Sequence, residues 1–76
     1  MKKTIFNYTT LTDWHQEGSY NLVEAISLMR DDIQNNFTIV IEQRYNNTPP
    51  DELHRFNTLE ELDNWINEQF PELDGD

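Results

Sequence analysis

The stretch from Thr58 to Phe70, TLEELDNWINEQF, constrains the fold more than any other. At about 100° per residue, Leu59, Leu62, Trp65, Ile66 and Phe70 fall within one arc, joined by Leu73 if the turn persists. Glu60, Glu61, Asp63, Asn64, Asn67 and Glu68 fill the opposite arc. Thr58 and Glu61 have the spacing of a capping box, acids in the first turn suit the helix dipole, and Pro71 stops the run. Such a helix needs a second element to cover its apolar arc.

Strands are the expected cover. KTIFNYT, residues 3–9, is β-branched and aromatic, with Phe6 and Tyr8 on one face and Ile5 and Asn7 on the other. FTIVIEQRY is clearer still, with Phe37, Ile39, Ile41 and Tyr45 opposite Thr38, Val40, Glu42 and Arg44. NNTPPDE reads as a loop, because paired prolines cannot donate to a ladder. LHRFN then returns as a short antiparallel strand. Earlier in the chain, Thr12 can cap a short helical turn that Gly18 ends.

YNLVEAISLMRDDIQNN supports two readings. As a helix it places Leu22, Ile26, Met29 and Ile33 in one stripe, and Asn21 with Glu24 has the form of a capping box. As a strand it puts Tyr20, Leu22, Ile26 and Leu28 on a face that also carries Glu24, with RDDIQNN as the loop. Residues 20–34 therefore stay open between helix and strand. The expected class is α+β: a single domain, 1–76, with a small antiparallel sheet of three or four strands packed against the C-terminal helix. An acidic tail is expected to fray from about residue 72.

A chain of 76 residues buries only about 60% of its unfolded surface, so a partner or a second copy can add stability. Two Trp and 12% aromatic residues argue for a real core. The absence of cysteine fits a reducing cytoplasm and removes disulfides and thiolate sites. MKKTIFNYTT holds no apolar run of signal-peptide length, and no stretch approaches the roughly 20 apolar residues of a membrane span. A cytoplasmic location is expected.

Enzyme chemistry is not expected. His15 and His54 are the only histidines. Asp13, His15 and Glu17 alternate as strand ligands would, but a metal site wants three or four converging ligands. DDIQNN lacks the central Gly and closing Glu of a calcium loop. Gly18 and Gly75 alone cannot build a phosphate loop. Asp31–Asp32 and Glu60–Glu61 are neighbours that point apart. Neither metal nor cofactor is expected. Trp65 reads as core, while Trp14, Tyr20 and Tyr45 divide between core and interface anchor.

Charge is the remaining signal. From Asp51 onward there are nine carboxylates and one cation, Arg55, within a chain of net charge −10. Helix 58–70 contains no Lys or Arg, so it lacks the i,i+4 pairs of an ordinary solvated face. Glu60, Glu61, Asp63 and Glu68, extended by the loop acids Asp51 and Glu52, are the candidate partner-binding residues. A basic protein surface is their natural counterpart; direct contact with nucleic acid or an anionic membrane is disfavoured. Two plainer readings compete: acids that serve only solubility, and a homodimer formed through a sheet edge.

FNTLEELDNWI resembles the strand-to-helix junction of a small family of type I-F anti-CRISPR proteins from phages, with pattern F-[DN]-[ST]-x-E-[EQ]-L-[DE]-x-W. Phe56, Asn57, Thr58, Glu60, Glu61, Leu62, Asp63 and Trp65 match in order, and IVIEQRYNN echoes that family's third strand. The resemblance implies four antiparallel strands followed by a helix, with 20–30 as a strand. It also implies an inhibitor of anti-CRISPR or anti-restriction type that occupies the crRNA- or DNA-binding surface of its target, as a nucleic-acid mimic. KKTIFN, LTDWHQ, NLVEAI and FTIVIE are similar to the first half of barstar-type nuclease inhibitors, which implies a strand, helices, then a strand in an acidic immunity protein.

Overall fold

The computed structural model describes residues 2–45 and 48–74, with Glu72 and Asp74 described by backbone alone. Asn46 and Asn47 of the expected loop, and Gly75 and Asp76 of the expected frayed tail, lie outside the described residues.

The first strand, β1 (Lys3–Asn7), passes directly into a helix, α1 (Tyr8–Glu17). The cap is Asn7, whose side chain accepts from the Thr10 N–H at 3.2 Å, rather than Thr12. Gly18 ends α1 in the left-handed region, φ 67°, with its N–H bonded to the His15 carbonyl. Ser19 follows at once and caps a second helix, α2 (Tyr20–Gln34), by accepting from the Asn21 N–H. Gly18 thus makes the corner between two consecutive helices. A Cβ there meets nothing within 4 Å, so Gly18→Ala carries backbone strain without a clash. It is expected to cost about 1 kcal/mol, read as a fall of about 4–8 °C in Tm with an unchanged circular-dichroism spectrum.

Residues 20–34 are helical, which corrects the strand at 20–30 that the anti-CRISPR resemblance implied. Leu22, Ile26, Met29 and Ile33 are all buried, while Leu28, inward in the strand reading, stays exposed. The 3.6-residue period wins because four core contacts depend on it. Asn36, at φ 68°, takes the left-handed conformation that Asn tolerates and turns the chain into β2 (Thr38–Gln43). After the loop comes β3 (Asp51–Phe56), then α3 (Leu59–Gln69) and a four-residue helix, α4 (Pro71–Asp74). The expected tail therefore begins with a helical turn, and Leu73 packs against the core.

The class is α+β with a three-stranded sheet in the order β1-β2-β3. β2 and β3 are antiparallel, as expected, but β1 and β2 are parallel. Two helices separate β1 from β2 and return the chain to the starting end of the sheet, which a hairpin cannot do. One core cluster joins Leu11 of α1, the α2 stripe, Ile39, Ile41 and Phe56 of the sheet, and Leu62, Trp65, Ile66 and Phe70 of α3. All three long helices therefore cover one face of the sheet. Trp65 sits in an aromatic group with His54, Phe56 and Phe70, at centroid distances of 5.4–5.7 Å. Its buried Nε1 has no acceptor among the described residues.

Candidate functional site

The six carboxylates singled out from the sequence fall into two groups. Three are engaged within the fold. Glu61 completes the capping box: its Oε1 accepts from the Asn57 and Thr58 N–H groups at 2.9 and 3.1 Å, and its own N–H donates to Thr58 Oγ1. The Asn57 bond, with those from Thr58, holds the Glu61 carboxyl below its ordinary value. A depressed pKa means that this contribution to stability is present above the ordinary carboxylate range and is lost as pH falls through the folded value. Asp63 accepts from Arg30 Nε and a terminal guanidinium nitrogen at 3.2 and 2.9 Å, so α2 supplies a cation that α3 lacks. Glu52 accepts two bonds from Arg55, which hold its carboxyl low, with a smaller attraction from Lys3. Asp51 and Glu52 lie on β3, not in a loop.

Glu60, Glu68 and Asp51 are exposed and form no ion pair among the described residues. They are not alone. On α1 and α2, Asp13, Glu17, Glu24 and Asp31 are exposed as well. The helices α1, α2 and α3 together carry Asp13, Glu17, Glu24, Asp31, Asp32, Glu60, Glu61, Asp63 and Glu68 against Arg30, a net −8. The sheet strands and their flanks carry Lys2, Lys3, Arg44 and Arg55 against Glu42, Asp51 and Glu52, a net +1. The charge is sorted by layer, with the helices acidic and the sheet near neutral.

Within the acidic layer, Tyr20, Val23 and Leu28 give α2 an exposed apolar ridge set among charged and polar side chains. Positions 20, 24, 27 and 31 run along its outer side, opposite the buried stripe, and hold Tyr20, Glu24, Ser27 and Asp31. Tyr20 is 71% exposed; Val23 on one flank and Leu28 on the other are 39% and 49% exposed. A groove beside the ridge is lined by Val23, Ile26, Arg30, Ile66 and Leu73, and continues past Leu73 to Trp14 and Tyr20. Another lies against Leu28, with Phe6, Trp14 and Ala25. Trp14 packs against the core and also lines both grooves, so it is core and surface at once. The sequence signal for this ridge was an aromatic and two aliphatic side chains at outward positions of the helical reading of 20–34.

Metal chemistry finds no framework among the described residues: no three His, Asp or Glu side chains converge. Asp13, His15 and Glu17 lie on a helix, where alternate residues point apart by about 200°. His15 sits instead against Phe70, 4.9 Å between ring centroids, and His54 against Trp65. No helix among the described residues is long and apolar enough to cross a membrane. Comparison with family models, curated proteins and solved structures gives no match.

Proposed function

We propose that this chain is a small acidic inhibitor whose helical layer docks on a basic, nucleic-acid-binding surface of a target protein. The observation that carries this reading is the sorting of charge: net −8 on the three long helices, net +1 on the sheet. Acids serving solubility alone need no such sorting, whereas a potential concentrated on one face steers a cationic partner onto it. The tyrosine ridge adds what charge alone lacks, a set of apolar anchors that lose water on contact. Among the two families resembled, the order strand, helix, helix, strand across residues 3–43 is the one implied by the barstar-type inhibitors. That order favours a nuclease as the target over a CRISPR effector.

The test immobilises the chain and passes a cell lysate over it at low salt, then elutes with salt and, separately, with duplex DNA. The expected eluate contains nucleic-acid-binding proteins released by both. Replacing Glu24, Asp31, Glu60 and Glu68 with their amides leaves the cap at Glu61 and the Arg30–Asp63 bond intact. At ~0.5–1 kcal/mol per lost charge pair, the fourfold variant is expected to bind its eluted partner roughly 30- to 1,000-fold more weakly at low salt. Equal binding by this variant would remove the electrostatic basis of the proposal.

A further inference from the structure

No helix among the described residues covers the sheet face turned away from α1, α2 and α3, and we propose that it is a self-association surface whose occupant is a second copy of this chain. The register defines what it presents. Thr4 donates to Asp32 of α2 at 2.8 Å and Phe6 packs on the core, so Lys3 and Ile5 point to the open side. Ile39 and Ile41 belong to the core, so Val40 and Glu42 point the other way. On β3 the register shifts between Ile41 and Glu42, and this bulge pairs Glu52 with Glu42 while Arg55 stands across from Val40. Leu53 is the extra residue. The face therefore reads Lys3–Thr38, then Ile5–Val40–Arg55, then Asn7–Glu42–Glu52, with Leu53 beside them.

Three properties select a second copy as occupant. First, the charges of this face balance, Lys3 and Arg55 against Glu42 and Glu52, so it is the approach that spares two molecules of net charge −10 their strongest repulsion. Second, with Arg55 and Glu52 paired within one copy, Lys3 and Glu42 are left at opposite ends of the strands. A half-turn about an axis across the strands lays Lys3 of one copy over the Glu42 end of the other and sets Ile5 and Val40 on their own counterparts. Third, the centre is apolar: Ile5 and Leu53 are 48% and 40% exposed, and Val40 lies between neighbours at 4%. The β3 edge is less suited, since its bulge and its exposed Asp51, Glu52, His54 and Arg55 blunt strand addition. Three short strands offer much less than the ~800 Å² per partner of a standard interface, so the association is weak and belongs to high concentration.

Its salt dependence is opposite to that of the helical layer. Screening shortens from about 30 Å at 10 mM salt to about 8 Å at 150 mM, relieving the repulsion between whole molecules. Sedimentation equilibrium of the full chain up to about 1 mM is expected to give a monomer at 10 mM salt and a monomer–dimer equilibrium at 300 mM. Lys3→Glu is expected to weaken the dimer at least tenfold, and adding Glu42→Lys to restore it at the original net charge. Ile5→Thr with Leu53→Thr keeps β-forming residues and is expected to abolish it, while Tyr20→Ala with Leu28→Ala leaves it unchanged. A monomer under every condition overturns the proposal. So does a dimer indifferent to Lys3→Glu, or one lost with Tyr20 and Leu28.

Discussion

Met29→Ala is expected to lower Tm by about 8 °C or more and to remove a large share of the chain's stability. Met29 is fully buried in the middle of the α2 stripe, within the cluster that holds Ile39 and Ile41 of the sheet and Leu62 and Ile66 of α3. Truncation of a buried Met costs about 2–5 kcal/mol, from lost transfer energy and from the cavity left behind. A domain of this size shifts by about 4–8 °C per kcal/mol, and its whole stability is on the order of 5–10 kcal/mol. Leu28→Ala, one residue away on the exposed side, is expected to cost less than about 1 kcal/mol, because its side chain gains little from folding. Thermal melts of the two variants compare the helix directly with the strand reading of the same residues. Equal losses would mean that the α2 stripe does not organise the core.

The elements that were legible in the sequence are those with redundant signals. For α3, the cap Thr58, the return bond from Glu61, the apolar arc and Pro71 all name the same boundaries. For β2, Ile39, Val40 and Ile41 are three consecutive β-branched aliphatic residues, and the strand lies at the centre of the sheet. Where the reading stayed open, a single local signal had to decide. Residues 20–34 begin at a cap, Ser19, that sits immediately after the Gly18 corner, so the second helix starts without a visible loop. The parallel ladder between β1 and β2 follows from that second helix, and could not be read until 20–34 was settled.

The candidate site was legible as composition and not as placement. Counting charges along α3 found the acids, yet Arg30, 33 positions before Asp63, reaches across from α2 to pair with it. The capping box that made α3 so readable also removes Glu61 from the free acids, since its carboxylate is spent on the Asn57 and Thr58 N–H groups. Sorting by layer became visible only when α1, α2 and α3 fell on one side of the sheet and four of the five cations on its strands and their flanks. Lys2, for example, lies over the Phe37 ring at 5.6 Å, at the entry to β2.

Tyr20→Ala is the single change expected to harm partner binding most, by roughly 30- to 1,000-fold, with no loss of fold. Tyr20 is the most exposed of the large hydrophobic side chains among the described residues and opens α2, where Ala is the better helix former. In a complex, a ring that loses its water beside Val23, flanked by Glu24, supplies both apolar area and a hydroxyl for a partner's basic side chain. Anchors of this kind cost ~2–4 kcal/mol when truncated, mostly through faster dissociation. Glu60→Gln, by contrast, is expected to slow association at low salt and leave the dissociation rate nearly unchanged, because an exposed charge acts mainly at a distance. Kinetics of the salt-eluted partner on immobilised wild-type, Tyr20→Ala and Glu60→Gln chains separate the two contributions. If Tyr20→Ala dissociates as slowly as wild type while the acid-to-amide variants lose binding, the partner is held by field alone and the α2 ridge is not its seat.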